Sequence, residues 1–303
     1  MTTPQTAIIP DHCKAGVFIQ ADVIPGQTGA VKQACKAALE TVKLLQSQYP
    51  DANLGLTIAF GADFWKSLEH QQEGQEIKPF RALGNGLAPV TQHDVLFHIQ
   101  SMRQDINFLL MQKIVALFNK MIDIKDETHG FRLIEERGVD GFVDGTENPQ
   151  GDEEVAEVAI IGKDRPDAGG SYVMYQKYRH DLNKWDKFSI AEQEETIGRS
   201  KEDNEEFEGE RLHPRAHIAR TNLKENGVGL KIVRRSLPYG TVTGEHGLAF
   251  ICYCNRLHNI EVQLLSMFGE AADGQTDLML DRLTQAISGG YYFAPSAERL
   301  ANL

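Results

Sequence analysis

The chain has 303 residues, a formal net charge of −12 and 41% hydrophobic residues. This composition is typical of a soluble globular protein and argues against a disordered or fibrous chain. An acidic surface repels phosphate backbones and anionic headgroups, so we expect no nucleic acid and no membrane surface as partner.

The N-terminal segment is the first feature in chain order. Met1–Cys13 lacks a basic start followed by an apolar stretch, which predicts that the chain has no secretory signal. No apolar run reaches the length of about 18 residues that a membrane-spanning helix needs. The four cysteines are too few for a disulfide scaffold in a chain of this length, and we expect them to be reduced. Together these features predict a cytoplasmic protein.

Strands and helices are predicted in alternation along the chain. Apolar residues recur at helical spacing over Thr28–Gln48 and Met102–Ile122, which predicts two long helices. Strands mixed with helices in this order predict an α+β fold with each sheet covered on one face. The segments predicted as strands from their β-branched and aromatic content are Ala15–Ala21, Leu54–Phe60, Asp94–Gln100, Phe131–Glu135, Ser171–Tyr178, Gly229–Val233 and Leu248–Cys254.

A short internal repeat suggests that the chain is duplicated. Arg103–Asn107 and Arg179–Asn183 both read Arg-x-Asp-(Ile/Leu)-Asn, and both follow a predicted strand. An aspartate at such a junction can cap the helix that follows. The shared placement predicts two similar halves, which we set at residues 1–140 and 141–303.

The segment Gly138–Glu154 joins these halves and reads GVDGFVDGTENPQGDEE. Its Gly, Asp, Asn and Pro content predicts a tightly turned loop. From Asp144 onward its oxygen-bearing side chains superficially match a calcium loop, which needs Gly at the sixth position and Glu at the twelfth. Here these positions hold Pro149 and Val155. We therefore predict that no calcium site forms in this loop.

Histidines and arginines are the remaining candidates for chemistry. The ten histidines are not distinguished by their residue type alone. His217 lies between Arg215 and Arg220, and the strand downstream ends in Arg234 and Arg235. Clustered arginines in an acidic protein need anionic partners, either surface carboxylates or the propionates of a haem.

Four segments resemble the motifs of the dye-decolourising peroxidase family, and they occur in the family's order. The loop Gly141–Pro149 (GFVDGTENP) resembles its GxxDG signature, and Arg215–Ile218 resembles its proximal-histidine segment. Lys231–Gly240 resembles its distal-arginine strand, and Gly289–Pro295 resembles its closing motif. The resemblance covers nearly the whole chain and is strongest to the short bacterial branch that lacks a signal.

The resemblance implies a fold, an activity and a cofactor. The fold would be α+β, with two ferredoxin-like halves of antiparallel sheet covered by helices and the haem held mainly by the second half. The activity would be that of a peroxidase, which uses hydrogen peroxide to oxidise dyes, phenols or other small-molecule donors through an oxidised haem. One haem b per chain is implied, and so is a homo-oligomer, because family members are commonly dimers or larger.

The resemblance also implies roles for individual residues around the iron. By position, His217 would be the axial iron ligand, Asp144 the distal acid and Arg234 the distal cation. Asp144 would move a proton between the two peroxide oxygens, and Arg234 would stabilise the charge that develops as their bond breaks. Which of these two residues contributes more is left open. If His217 is not the ligand, His246 and His258 are the next candidates.

Further residues complete the site that the resemblance implies. Where some relatives have asparagine two positions after the distal arginine, this chain has Ser236, whose shorter hydroxyl can still hydrogen-bond peroxide or water. A carboxylate is expected to accept the other N–H of His217. The resemblance implies Asp277 for this role, with Asp281, one turn later, as the alternative. Arg199 is expected to pair with a haem propionate.

Two other functions would use the same residues. A haem-handling protein would bind, store or strip haem with little turnover, but storage needs no acid such as Asp144 above the iron. A related α+β haem enzyme would act on chlorite instead of peroxide, whereas the GxxDG loop favours peroxide.

Overall fold

The computed structural model of the chain describes residues 2–11, 13–70 and 72–303. Met1 and His12, which belong to the N-terminal segment discussed above, and Gln71 lie outside these residues. Within the described residues, no helix combines the length and the apolar character needed to cross a membrane.

Twelve strands occur in the described residues, and ten of them belong to one sheet. In chain order they are β1 Ala15–Val23, β2 Gly55–Gly61, β3 Val95–Ser101, β4 Ile122–Phe131, β5 Ser171–His180, β6 Lys224–Glu225, β7 Val228–Gly229, β8 Val233–Arg234, β9 Leu237–Gly240, β10 His246–Cys254, β11 Thr284–Ala286 and β12 Gly290–Ala294.

Ten α-helices accompany these strands in the same part of the chain. They are α1 Thr28–Gln48, α2 Ala62–Ser67, α3 Gln104–Leu117, α4 Asp152–Ala159, α5 Leu182–Trp185, α6 Ile190–Ile197, α7 His217–Thr221, α8 Leu257–Met267, α9 Leu278–Arg282 and α10 Ala297–Leu300.

The first four strands form a ferredoxin-like unit. β1 pairs with β3 and β4, and β3 also pairs with β2, all antiparallel, so the strand order is β4-β1-β3-β2. Helices α1 and α3 lie between these strands in sequence, contact each other and pack on the sheet. The predicted cover of helices on one face of the sheet is confirmed here.

The second half repeats this arrangement. β5 pairs with β10 and β12, and β10 also pairs with β9. The order β12-β5-β10-β9 therefore corresponds, strand by strand, to β4-β1-β3-β2 of the first half. Helix α8 packs against β5 and β10. The predicted α+β fold of two ferredoxin-like halves is therefore confirmed.

The two four-stranded units are joined along both of their edges. β12 pairs with β2, and β4 meets β9 where Gly130 lies opposite Tyr239. At this junction a Cβ on Gly130 would come within 2.6 Å of Leu237 Cβ, so the close approach of β4 and β9 requires glycine. The eight strands form a closed ring of hydrogen-bonded neighbours, in which two residue pairs join β12 to β2 and one residue pair joins β4 to β9.

Helix α1 has the bounds that its sequence pattern predicts. One face is consistently apolar and is buried against the sheet, and each fully buried Val or Leu on it contributes about 1.5–3 kcal/mol relative to an exposed one. The buried residues are Val31, Ala34, Cys35, Ala38, Leu39, Val42 and Leu45.

The predictions for residues 102–135 are wrong in their boundaries. The helix ends at Leu117, not at Ile122, and Lys120 then adopts a φ of +62° in the turn that follows. The strand covers Ile122–Phe131 and not Phe131–Glu135. This strand lacks the alternation of apolar and polar residues that predicts strands, because it is rich in charged residues and most of its side chains are exposed.

The strand predicted at Gly229–Val233 is also wrong, because two short strands occupy this region. Asn226 and Gly227 form the two-residue turn of a hairpin between β6 and β7, with φ values of +53° and +82°. Such Asn-Gly turns match the twist of paired strands. β8 then begins at Val233 and pairs with β10.

The Arg-x-Asp repeat does not mark equivalent positions in the two halves. Its first copy lies between β3 and α3, and its second between β5 and α5. Asp181 caps its helix by accepting from the Lys184 N–H at 3.0 Å, whereas Asp105 pairs with Arg103 instead. In the ferredoxin-like order β3 corresponds to β10, so the counterpart of Arg103 is Arg256, the residue before α8. The two halves share one strand order, but the two copies of this repeat do not lie at equivalent positions in them.

Candidate active site

Asp144 is presented by the tightly turned loop that the sequence predicts. The Asp144 N–H donates to the Glu136 carbonyl at 2.9 Å, and the Asn148 N–H donates to the Gly145 carbonyl at 2.9 Å. Gly141 and Gly145 have φ values of +88° and +78°, where a side chain would be strained. These turns place Asp144 on the wall of a cavity.

His217 begins α7 on the wall of the same cavity. Its Nδ1 lies 2.7 Å from Oδ2 of Asp277, which is completely buried. The other Asp277 oxygen accepts the Met279 N–H at 2.8 Å and so caps α9. Because the carboxylate accepts the hydrogen bond from Nδ1, the imidazole Nε2 keeps a lone pair available for a ligand.

Asp281 does not take part in this pair. Its carboxylate contacts the guanidinium of Arg215, and its side chain is 54% exposed. Arg215 also donates to the Thr276 carbonyl at 2.7 Å and thereby holds the chain just before Asp277. The structure therefore brings Asp277, and not Asp281, against His217.

The arginine cluster separates into paired side chains and one with an unpaired nitrogen. Arg215 contacts Asp281, Arg220 donates to Asp273 at 2.7 Å, and Arg235 donates to Asp11 at 2.9 Å. Arg234 differs from these three. Its Nε is buried and has no hydrogen-bond partner among the described residues.

Asp144, His217 and Arg234 line one cavity of about 750 Å³. An adjoining cavity of about 770 Å³ shares these three residues and extends to Arg199. The remaining wall of the first cavity is largely apolar and includes Ile232, Leu248, Phe250, Ile260, Leu264, Met267 and Met279.

Arg199 lies at the edge of this space but already has anionic partners. Its guanidinium donates to Glu206 at 2.9 Å and also contacts Glu147. A further nitrogen donates to the Asn204 carbonyl at 2.9 Å. An anion bound here would compete with two carboxylates for the same guanidinium.

Ser236 is turned toward the backbone of the neighbouring strand. Its Oγ accepts the Ile251 N–H at 3.2 Å, and the residue is 3% exposed. It lines a more polar cavity of about 770 Å³ that also includes Asp144 and Arg234. The hydroxyl thus lies near the distal residues while bonding to β10.

His180 is a cavity residue that the sequence reasoning missed. It lines the cavity together with His217, and its Nδ1 lies 2.8 Å from Thr284 Oγ1. Burial lowers the pKa of His180 to about 4, so its imidazole is neutral at pH 7. Tyr178 stands two positions earlier on the same face of β5 and also lines the cavity, and this alternation is the signal in the sequence.

The two histidines named as alternatives to His217 lie elsewhere. His246 lines a groove on the other side of His180, and His258 lies 3.3 Å from Glu225.

Two family descriptions match consecutive parts of the chain. Residues 5–132 match the family described as Dyp-type peroxidase, N-terminal, and residues 135–299 match Dyp-type peroxidase, C-terminal.

Individual relatives match over nearly their full length. The Dye-decolorizing peroxidase of Mycobacterium tuberculosis is 34% identical over 302 residues, which cover 98% of this chain and 90% of that protein. A dye-decolorizing protein from V. cholerae is 41% identical, with a TM-score of 0.92 over 98% of this chain and 99% of that one. A variant of DypB from Rhodococcus jostii RHA1, solved in complex with haem, is 31% identical with a TM-score of 0.93 over 99% of each chain.

Proposed function

The chain belongs to the Dyp-type peroxidase family, and from this premise we propose that Asp144, His217, Arg234 and Asp277 form its peroxidase site. Its activity is that of a haem peroxidase, which reduces hydrogen peroxide and oxidises a donor such as a dye. One observation carries the assignment of residues. His217, which is hydrogen-bonded to the buried Asp277, lines the same cavity as a carboxylate and a guanidinium that has an unpaired nitrogen.

The residues of this cavity fit a haem. A haem needs an apolar slot, an axial donor and cations for its charged edge. The apolar wall supplies the slot, and His217 supplies a nitrogen whose basicity is raised by the buried Asp277. The buried Arg234 Nε lacks a partner within the described residues, as expected for a donor aimed at a bound group. We propose haem b, bound non-covalently and one per chain.

The proposed mechanism divides the work among four side chains. Haem, when bound, supplies the iron at which peroxide is reduced and the oxidising equivalents that the donor then consumes. His217 would hold the iron of a bound haem through Nε2, and Asp277 would keep the imidazole in this orientation. Asp144 takes a proton from one peroxide oxygen and gives it to the other. Arg234 stabilises the negative charge that develops on the departing oxygen.

Two residues at the edge of the site, Arg199 and Ser236, already have other hydrogen-bond partners. For Arg199 we propose a contact with a haem propionate, which would replace or share its contacts with Glu147 and Glu206. For Ser236 we propose a hydrogen bond to peroxide or water, for which its hydroxyl would turn away from Ile251.

We expect peroxide-dependent oxidation of a dye by the haem-loaded protein. Steady-state turnover is measured with hydrogen peroxide plus dye and, in parallel, with chlorite. Decolourisation with peroxide and little decomposition of chlorite supports the proposed site. Bound haem without turnover of either oxidant would favour a haem-handling protein. Faster chlorite decomposition would favour a haem enzyme that acts on chlorite.

Replacing Asp277 by asparagine should make the iron easier to reduce. The imidazole loses a partner that increases its electron donation, so the reduction potential rises. We expect a rise of about 60 mV or more, the equivalent of a tenfold change in a one-electron equilibrium. Spectroelectrochemical titration measures this potential.

Asp281→Asn is the matched control, because Asp281 contacts Arg215 and not His217. Its potential should equal that of the wild type. An unchanged potential in Asp277→Asn together with a rise in Asp281→Asn would reverse the assignment of the two aspartates.

Three broader properties complete the proposal. We propose that the protein acts in the cytoplasm, that it forms a homo-oligomer and that its halves divide at residue 140. Cell fractionation, light scattering and expression of the separate halves test these proposals in turn.

A further inference from the structure

A side-chain amide links the segment that carries Asp144 to the strand that carries Arg234. Asn148 Oδ1 accepts the Arg234 N–H at 2.9 Å, and Asn148 Nδ2 donates to the Arg234 carbonyl at 2.9 Å. The opposite edge of β8 pairs with β10, where Arg234 faces Cys252. Asn148, which is 8% exposed, therefore satisfies the edge of β8 as another strand would.

The same arrangement occurs at two other strands. Gln5 accepts from the Ile58 N–H at 2.7 Å and donates to its carbonyl at 2.8 Å. Gln92 pairs with both backbone groups of Tyr291 at 2.9 Å. Of these three amides, Asn148 is the one whose partner lines the cavity.

We propose that Asn148 is a positioning residue, which fixes the backbone of Arg234 and thereby places its guanidinium relative to Asp144. The Arg234 Nε has no partner among the described residues, so the place of the guanidinium depends on where β8 holds its backbone. Asn148 stands four positions after Asp144 in the same loop. Its side chain therefore connects the loop that carries Asp144 to the strand that carries Arg234. This inference rests on the proposed function, because it takes Arg234 as the distal cation.

The backbone contact is tested first by hydrogen exchange of the full-length, haem-loaded protein. Without the amide, the Arg234 N–H loses its acceptor and β8 is held on one side only. In Asn148→Ala the peptide that contains Arg234 should exchange at least about tenfold faster than in the wild type. Gln92→Ala is the matched control, because it removes the same kind of contact from Tyr291 and should leave that peptide unchanged. Equal exchange in Asn148→Ala and the wild type would overturn the proposal.

The placement of the guanidinium is tested by fluoride binding to the ferric protein. Iron-bound fluoride accepts hydrogen bonds from nearby donors, so its affinity reports on them without any turnover. Asn148→Ala should weaken fluoride binding about tenfold, in the direction of Arg234→Leu. Asn148→Gln, which keeps the amide, should recover part of the loss, and Gln92→Ala should bind as the wild type does.

The two possible failures give different results. Weaker fluoride binding in Arg234→Leu but unchanged binding in Asn148→Ala would refute the positioning role and leave the proposed function intact. Unchanged binding in Arg234→Leu would instead refute the role of Arg234, on which the inference rests. If Asn148→Ala does not fold, Asn148→Asp serves in the exchange measurement. It keeps the acceptor for the Arg234 N–H but places a carboxylate oxygen against the Arg234 carbonyl, so the peptide should still exchange faster than in the wild type.

Discussion

His217→Ala is expected to lose most of its haem or to hold it weakly with an altered absorption spectrum. The substitution removes the proposed bond between protein and iron and leaves a hole beneath the cofactor. We expect haem affinity to fall by more than tenfold, and a tenfold change corresponds to ~1.4 kcal/mol of binding free energy. Haem titration of the purified chain, followed at the Soret band, measures this loss.

His180→Ala is the control, because His180 lines the same cavity and is engaged by Thr284 through Nδ1. It should keep haem with a normal spectrum. Added imidazole should partly restore haem binding to His217→Ala, since the cavity left by the side chain can accept a free ligand. A wild-type spectrum at full occupancy in His217→Ala would mean that another histidine binds the iron, and loss of haem in His180→Ala would identify it.

The sequence predicts elements well where burial leaves a regular pattern. α1 has one apolar face throughout, and its predicted and observed bounds agree. β4 has no such pattern, because most of its side chains are exposed and its pairing with β1 joins residues 99 to 116 positions apart. The strand order that defines the two halves is likewise a property of long-range pairing, which a local repeat cannot reveal.

The site shows the same division between local and long-range information. The motifs select His217, Asp144 and Arg234, and they favour Asp277 while keeping Asp281 as an alternative. The structure separates the two aspartates through a local detail, since Asp277 caps α9 and is fully buried whereas Asp281 lies in the helix and is exposed.

Asn148 and His180 were missed because of a long-range contact and an underestimated strand length, respectively. The contact between Asn148 and Arg234 joins residues 86 positions apart. It matters because, among the described residues, β8 pairs with β10 and has no second strand on the side that Asn148 contacts. His180 reaches the cavity because β5 continues to residue 180, two residues beyond the predicted end of the strand.

Arg234→Leu and Asp144→Asn are expected to keep haem and to slow the reaction with peroxide. Removing a donor that stabilises developing charge costs about 100- to 1,000-fold in other enzymes. Loss of a general acid–base group costs about 100- to 10,000-fold. Stopped-flow mixing with peroxide, followed at the Soret band, gives the rate constant for each variant.

The larger loss is expected for Arg234→Leu, because the substitution removes the guanidinium charge itself. It supplies the charge proposed to stabilise the departing peroxide oxygen, and it does so in a cavity whose remaining wall is largely apolar, where a charge is weakly screened. Asp140→Asn is the matched control for Asp144→Asn. Asp140 lies in the same loop and accepts the Phe142 N–H at 3.1 Å, a bond that asparagine can retain. It should react at close to the wild-type rate. If neither Arg234→Leu nor Asp144→Asn slows the reaction tenfold, both residues are structural and the proton transfer proposed for Asp144 does not occur.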